Sequence, residues 1–334
     1  MMRSVLPVSL ILPPSGRQSF RLMMIGVPCD AARMRAKTAM VMALSGGAAG
    51  GELAMPRMMY GTAWKKERTR ELVLAALGAG FRGIDTACQP KHYNEPAVGE
   101  ALEEAIRSGV VDRQSVFVQT KFTPLAGQDE RVPYDASAAL GEQVRSSFET
   151  SLRNLRTTYV DCLVLHSPLP THEETLEAWR AMETIHRDGR ARQLGVSNCY
   201  ALDEIRWLHD AAEVKPSVVQ NRFYAATGWD RDLRAWAQAK GVRHQSFWTL
   251  TANPKAIDSP PVREVAHRLG VSGAQLFFRF VLQLGITPLT GTSSRAHMCD
   301  DLAVLGMREL SADDMAAVAD ALERCYPRPA SASA

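Results

Sequence analysis

Short apolar segments recur along the chain from about residue 55 onward, and stretches with helical spacing separate them. Most of the segments lack a polar residue at every second position, which is typical of parallel strands that are covered on both faces. Segments of strand-like length and composition lie at residues 56–61, 81–86, 116–122, 159–166, 191–197, 217–223, 242–248 and 286–291. The pattern therefore predicts eight β-strands.

The stretches between these segments predict helices. Residues 67–80 show the spacing clearly, because Leu72, Ala76 and Ala79 fall on one face and Gly80 follows as a terminator. Further helices are predicted at residues 136–156, 173–188, 202–212, 262–270 and 273–285. Alternating strands and helices form a parallel sheet with helical crossovers, and eight such units leave no room for a second domain. We predict an α/β fold, a single-domain (β/α)8 TIM barrel over residues 55–325.

The composition changes this picture only at the chain ends. The 334 residues are 46% hydrophobic and 22% charged, which excludes collagen, coiled coils and disorder as the main state. Residues 1–50 hold six Lys and Arg against one Asp, a net charge of +5, which leaves −2 for the rest of the chain out of the formal total of +3. The rest of the chain is near neutral, and we expect no nucleic-acid partner. The apolar run at residues 5–12 is too short for a membrane span, so we expect no membrane partner.

The front end is rich in Ser, Arg, Met and Ala, the composition of an organelle-targeting segment. We interpret residues 1–50 as a disordered or targeting extension, and residues 326–334 as a flexible tail. The six cysteines include no CxxC pair, which favours reduced thiols. We expect a cytoplasmic monomer, with organelle targeting by residues 1–50 as the alternative.

Polar residues stand at the ends of the predicted strands, where barrels of this type place their chemistry. They are Asp85, Lys121, His166, Ser197 with Asn198, and Gln220. A buried charge is costly without an oppositely charged partner. Asp85 and Lys121 lie on neighbouring strands, so each would be the partner of the other. Taken singly, each also has a structural interpretation: Asp85 as a helix cap, Lys121 as a solvated strand end, and His166 as a core histidine.

Five motifs in this order resemble the aldo-keto reductases over about residues 55–305. They are Phe-Arg-Gly-Ile-Asp-Thr-Ala at 81–87, His-Tyr-Asn-Glu-Pro-Ala-Val-Gly-Glu-Ala-Leu at 92–102, Val-Gln-Thr-Lys at 118–121, Leu-Val-Leu-His at 163–166 and Gly-Val-Ser-Asn at 195–198. The resemblance implies a barrel that binds an extended nicotinamide dinucleotide across its strand ends, which accounts for the missing GxGxxG motif. It also implies a catalytic set of Asp85, Tyr93, Lys121 and His166.

The implied reaction is the reduction of a small-molecule carbonyl, an aldehyde or a ketone, to an alcohol. Hydride addition leaves an alkoxide, so a positioned acid must deliver a proton. Tyr93 is the expected acid, with Lys121 lowering its pKa and Asp85 holding the ammonium. His166 is expected to donate a hydrogen bond to the substrate oxygen. No metal is expected.

One departure from the family concerns Tyr93. It follows Asp85 by eight residues, whereas the family tyrosine usually follows by five. The sequence after it, Asn-Glu and then Val98-Gly99, still matches the family pattern. Tyr93 therefore remains the expected acid, and the alternative is a tyrosine on a surface loop.

The resemblance also implies the cofactor-binding residues. Ser197, Asn198 and Gln220 correspond to residues that hold the nicotinamide carboxamide, Phe247 to an aromatic that stacks on the ring, and Leu250 to a neighbour of that aromatic. Near the eighth strand the expected residues are Gly291, Thr292, Ser293 and Arg295, with Arg295 or His297 near the 2′-phosphate. Leu289 stands where the family often has lysine. We expect NADP(H), with NAD(H) as the alternative.

Two other functions remain open from the sequence. A barrel of this family can bind the cofactor and serve as a regulatory subunit with little turnover, although the complete catalytic set argues against this. A metal-dependent hydrolase would use His166 and Asp85 as ligands, but it needs several more His or carboxylate ligands at the strand ends.

Overall fold

The computed structural model describes residues 54–327. The predictions for residues 1–50 and for residues 328–334 of the tail lie outside the described residues. Eight parallel strands close into a barrel in chain order: β1 Met59–Gly61, β2 Gly83–Asp85, β3 Phe117–Phe122, β4 Val160–Leu165, β5 Ala191–Ser197, β6 Val218–Arg222, β7 Arg243–Phe247 and β8 Thr287–Thr290. This confirms the predicted (β/α)8 TIM barrel.

Most of the strands are shorter than the apolar segments that predicted them. β2 begins at Gly83 rather than residue 81, yet the backbone N–H of Phe117 still donates to the carbonyl of Arg82 at 2.7 Å. The residues that flank β2 therefore approach the neighbouring strand without continuing its regular hydrogen-bond pattern. The apolar segment covers both the strand and these flanking residues, so it predicts a longer strand.

Helices surround the barrel. They are Thr69–Ala79, Glu95–Arg107, Leu140–Leu155, His172–Arg187, Leu202–Ala211, Arg231–Ala239, Pro254–Ile257, Pro260–Leu269, Gly273–Gln283, Arg295–Ala303 and Ala312–Cys325. The helix predicted at residues 136–156 begins later, at Leu140, because the Asp135 carboxylate accepts from the backbone N–H and hydroxyl of Ser137 and forms a turn there.

Close packing of two helices fixes the chain next to the barrel mouth. A Cβ on Gly99 would lie 2.0 Å from the carbonyl oxygen of Asn154, so only glycine lets helix Glu95–Arg107 approach helix Leu140–Leu155 this closely. The Asn94 side chain accepts from the backbone N–H of Ala97 and caps the first of these helices. Tyr93 immediately precedes this cap, so the helix contact also positions Tyr93.

The side chains that point into the barrel form an apolar layer in its interior and a polar layer at the carboxyl ends of the strands. Met59, Phe117, Cys162, Val164 and Val218, with Leu289, form a buried apolar cluster. Because successive strand residues point to opposite faces, the side chains two positions further along share the interior with this cluster. By this periodicity the ends of β2, β3, β4 and β6 turn polar side chains inward.

Within residues 54–327 no helix has the length and apolar character needed to cross a membrane.

Candidate active site

The four expected catalytic residues come together at the carboxyl ends of the strands. Asp85 ends β2, Lys121 lies near the end of β3, and His166 directly follows β4. Tyr93 lies in the loop that follows β2. A cavity of about 910 Å³ opens there, and Asp85, Tyr93 and His166 line it, whereas Lys121 is buried behind them.

Asp85 and Lys121 form a buried ion pair. Lys121 Nζ lies 2.7 Å from Asp85 Oδ1 and 2.8 Å from Oδ2, and it also donates to the carbonyl of Thr86 at 2.8 Å. Burial is the largest single influence and would by itself lower the pKa of Lys121, but the Asp85 carboxylate and the neighbouring Tyr93 together outweigh it, and the pKa is raised. Lys121 is therefore a permanent cation with all three of its N–H groups directed at oxygen.

Three glutamines support the pair from the barrel interior. Gln119 Nε2 and Gln220 Nε2 both donate to Asp85 Oδ1, at 2.7 and 3.0 Å. Both also donate to Gln245 Oε1 at 2.8 Å, and Gln245 returns a bond to Gln119 Oε1 at 2.9 Å. Buried amides of this kind are costly unless bonded to one another, so the network fixes the orientation of Asp85.

Tyr93 lies beside both Lys121 and His166. Lys121 Nζ is 5.2 Å from the centre of the Tyr93 ring, and the Tyr93 and His166 ring centres are 6.1 Å apart. Burial raises the pKa of Tyr93, and the Lys121 ammonium opposes this only in part. The pKa of Tyr93 is thus raised, whereas the sequence predicted that Lys121 would lower it. The difference arises because burial of the phenol cannot be read from the sequence.

The longer loop after β2 folds into a turn that returns Tyr93 to the mouth. The backbone N–H groups of His92 and Tyr93 both donate to the carbonyl of Gln89, at 3.1 and 3.0 Å, and Cys88 N–H donates to the carbonyl of Lys121 at 3.2 Å. The extra residues are absorbed within this turn. The unusual spacing from Asp85 is therefore compatible with a tyrosine at the cavity.

His166 is held on its Nδ1 side. Thr123 Oγ1 lies 2.6 Å from His166 Nδ1. Burial of the ring in the barrel mouth lowers the pKa of His166 well below its usual range, and the nearby Lys121 charge adds to the effect. His166 is therefore a neutral imidazole at neutral pH.

The nine expected cofactor residues divide into two groups. Those that line the cavity are Ser197, Asn198, Gln220, Phe247, Leu250, Gly291 and Thr292, whereas Ser293 and Arg295 do not. Asn198 Nδ2 donates to the backbone carbonyl of His166 at 2.8 Å, which fixes the Asn198 side chain next to the end of β4. Arg295 is exposed at the start of helix Arg295–Ala303.

The cavity carries hydrogen-bond donors along its length. It runs from His166 to the end of β8, where it reaches His297 and Asp301. Lys65 Nζ donates to the carbonyl of Gly291, and a Cβ on Gly291 would lie only 3.4 Å from that nitrogen. Hydroxyl and amide groups near His166 and a cation near Gly291 are donors for a carboxamide and for phosphates.

Sequence reasoning missed Trp64 and Arg222 at the cavity rim. Trp64 packs against His92 with ring centres 4.0 Å apart and ring planes tilted by 37°, and Arg222 lies 4.1 Å from the centre of the Trp248 ring. Trp64 is 59% exposed and Trp248 48% exposed, which is high for tryptophan. A signal for Trp64 was available, because large aromatics just after a strand in a barrel sequence are candidates for substrate contact.

Within residues 54–327 no group of three or more His, Cys, Asp or Glu side chains is arranged to hold a metal ion.

The model of the aldo/keto reductase family matches residues 53–323. The chain is 32% identical over 253 residues to an uncharacterized oxidoreductase, YtbE, of Bacillus subtilis, covering 75% of this chain and 83% of the relative. It is 31% identical over 262 residues to the glyoxal reductase of the same organism, covering 78% and 86%. A crystal structure of a Bombyx mori aldo-keto reductase in complex with NADP has the same fold, with a TM-score of 0.68, 24% identity, and coverage of 80% and 89%. These matches confirm the resemblance seen in the sequence: the chain belongs to the aldo/keto reductase family and is an oxidoreductase.

Proposed function

We propose that the protein reduces the carbonyl group of small aldehydes or ketones to an alcohol with hydride from NADPH. The observation that carries the proposal is the convergence of Asp85, Tyr93, Lys121 and His166, from separate segments of the chain, at one end of the cavity. NADH is the alternative cofactor.

When bound, the reduced nicotinamide supplies the hydride that adds to the carbonyl carbon. The carbonyl oxygen then gains negative charge and must receive a proton. The Tyr93 phenol is the donor, because its raised pKa keeps it protonated at neutral pH and a phenol is still a much stronger acid than an alcohol. Lys121, a cation 5.2 Å from the ring centre, stabilises the phenolate that remains.

His166 acts by orientation rather than by proton transfer. A neutral imidazole with a strongly lowered pKa has no acidic proton to give, but its N–H is a hydrogen-bond donor. Placed at the cavity wall beside Tyr93, it directs the carbonyl oxygen toward the phenol.

The choice of NADPH is supported by the residues around the end of β8. Thr292 and His297 line the cavity there, and helix Arg295–Ala303 begins beside them, so the helix N-terminus and Arg295 favour a phosphate. Asp300 and Asp301 also line this region and oppose a phosphate when charged. This opposition keeps NADH as the alternative.

A panel of aldehydes and ketones, assayed with NADPH and NADH by cofactor absorbance, tests the proposal. The panel includes glyoxal, because one relative is named glyoxal reductase. We expect turnover with several members, and none for the Tyr93→Phe variant. Tight cofactor binding without turnover of any member would favour a regulatory subunit instead.

A further inference from the structure

The contact between Thr123 and His166 has a direction that can be worked out. Thr123 is 3% exposed, and its Oγ1 lies 2.6 Å from His166 Nδ1. Within residues 54–327 this nitrogen is the only hydrogen-bond partner of the hydroxyl. Either group can donate, so the question is which arrangement leaves no buried hydrogen without an acceptor.

If His166 Nδ1 carried the proton and donated to Thr123, the Thr123 hydroxyl hydrogen would have no acceptor among residues 54–327. Such an unmade hydrogen bond costs free energy. If the Thr123 hydroxyl donates to an unprotonated Nδ1, the one polar hydrogen at this contact forms a hydrogen bond. A neutral imidazole carries one N–H, so the second arrangement leaves that N–H on Nε2, at the opposite side of the ring.

Thr123 has little freedom to turn away. A Cβ on Gly127 would lie 2.7 Å from the Thr123 Cγ2 methyl, so that methyl occupies the space that the missing side chain leaves. The Thr123 carbonyl accepts from the Tyr134 hydroxyl at 2.8 Å and from Gln128 Nε2 at 3.3 Å. Methyl and backbone are both held, which fixes the direction of Oγ1.

We propose that Thr123 is a positioning residue that holds His166 in the Nε2–H tautomer. His166 then presents an N–H to the substrate oxygen, whereas the other tautomer would present a lone pair and repel it. The inference rests on the proposed function for its catalytic consequence, but the tautomer itself is a property of the protein without cofactor or substrate.

The chain offers a matched pair of variants. Thr123→Val keeps the shape and the methyl but cannot donate, and Thr123→Ser keeps the donor. Nitrogen-15 NMR of histidine-labelled protein near pH 7.5 distinguishes a protonated ring nitrogen from a bare one, and a His166→Gln variant assigns the signal. We expect pure Nε2–H in the wild type and in Thr123→Ser, and a mixture of tautomers in Thr123→Val.

The kinetic expectation is specific to the carbonyl. Thr123→Val should lower kcat by roughly threefold to tenfold, the effect of one hydrogen bond, with cofactor affinity unchanged. Thr123→Ser should restore wild-type kcat. A merely structural role would instead lower the midpoint of thermal unfolding in both variants without changing the tautomer.

The two levels of failure are distinguishable. A wild-type His166 already in the Nδ1–H form, or an unchanged tautomer in Thr123→Val, overturns the role of Thr123 whatever the enzyme does. Full turnover in His166→Gln overturns the proposed role of His166 in orienting the carbonyl, while the NMR result still decides whether Thr123 sets the tautomer.

Discussion

Lys121 Nζ lies 2.7 Å from Asp85 Oδ1, and the two side chains are 0% and 3% exposed. An ion pair this deeply buried contributes little net stability, because both charges lose their hydration. Removing one partner is different, since it leaves the other charge buried and uncompensated. The pair is therefore more sensitive to single than to double replacement.

We predict that Asp85→Asn and Lys121→Met each lower the free energy of unfolding by about 3–5 kcal/mol. The double variant should lose clearly less than the sum of the two, because no unpaired charge remains. Urea unfolding of the four proteins at pH 7 measures this cycle. Additive losses would mean that water or another group already compensates each charge.

Tyr93→Phe is predicted to lower kcat for carbonyl reduction by roughly 10²–10⁴-fold, the usual contribution of a general acid. The affinity for NADPH should be nearly unchanged, since the phenol oxygen serves the proton transfer. Fluorescence titration and steady-state kinetics measure the two effects separately. Near wild-type turnover would move the acid role to another group, with His166 first.

The site residues that could be predicted from the sequence are those whose position follows from where each strand ends. Asp85, Lys121 and His166 each lie at or near the end of an apolar segment, and in a parallel barrel all such ends meet at one mouth. Once the strands are recognised, their convergence follows without knowledge of any distance.

The contacts that could not be predicted depend on how the barrel closes. Gln119 and Gln245 are 126 residues apart in the chain yet bond across the interior at 2.8 Å. Nothing in their local sequence distinguishes them from other strand residues. The raised pKa of Tyr93 escaped prediction for a related reason, because burial is produced by many distant neighbours at once.

Asp301 is predicted to make stability depend on pH. Burial raises its pKa from 3.8 to about 6, although Thr290 Oγ1 donates to Oδ2 at 2.7 Å. The unfolded chain loses this proton at lower pH than the folded protein, so the contribution to stability is present below about pH 4 and is lost as pH rises through about 6. The folded protein thus carries a destabilising carboxylate at neutral pH.

Asp301→Asn should therefore stabilise the protein by about 1–3 kcal/mol at pH 7.5, and the difference should vanish near pH 4. The amide oxygen introduced by this substitution can still accept from Thr290. The matched control is Asp300→Asn at the exposed neighbour, expected within about 0.5 kcal/mol of the wild type. Unfolding midpoints at both pH values give the comparison, and a gain that persists at pH 4 would contradict the titration.

The last prediction concerns how the protein distinguishes NADPH from NADH. A 2′-phosphate needs a cation, and Leu289 occupies the position where the family often has one. Within residues 54–327, the cations Lys65 and Arg295 lie beside the carboxyl end of β8. Lys65 lines the cavity and donates to Gly291, whereas Arg295 is exposed at the start of its helix and makes no part of the cavity lining. Arg295 is therefore free to bind a phosphate that projects from the cavity at the helix N-terminus.

Arg295→Ala should weaken NADPH binding by roughly tenfold to over a hundredfold, the effect of about 1.5–3 kcal/mol from a charge-assisted hydrogen bond, and leave NADH binding nearly unchanged. Lys65→Met is the contrasting variant and should weaken both cofactors alike, because its contact at Gly291 lies within the part of the cavity that both would occupy. Dissociation constants for the two cofactors, measured without substrate, decide the matter: equal losses in Arg295→Ala would mean that Arg295 does not recognise the 2′-phosphate.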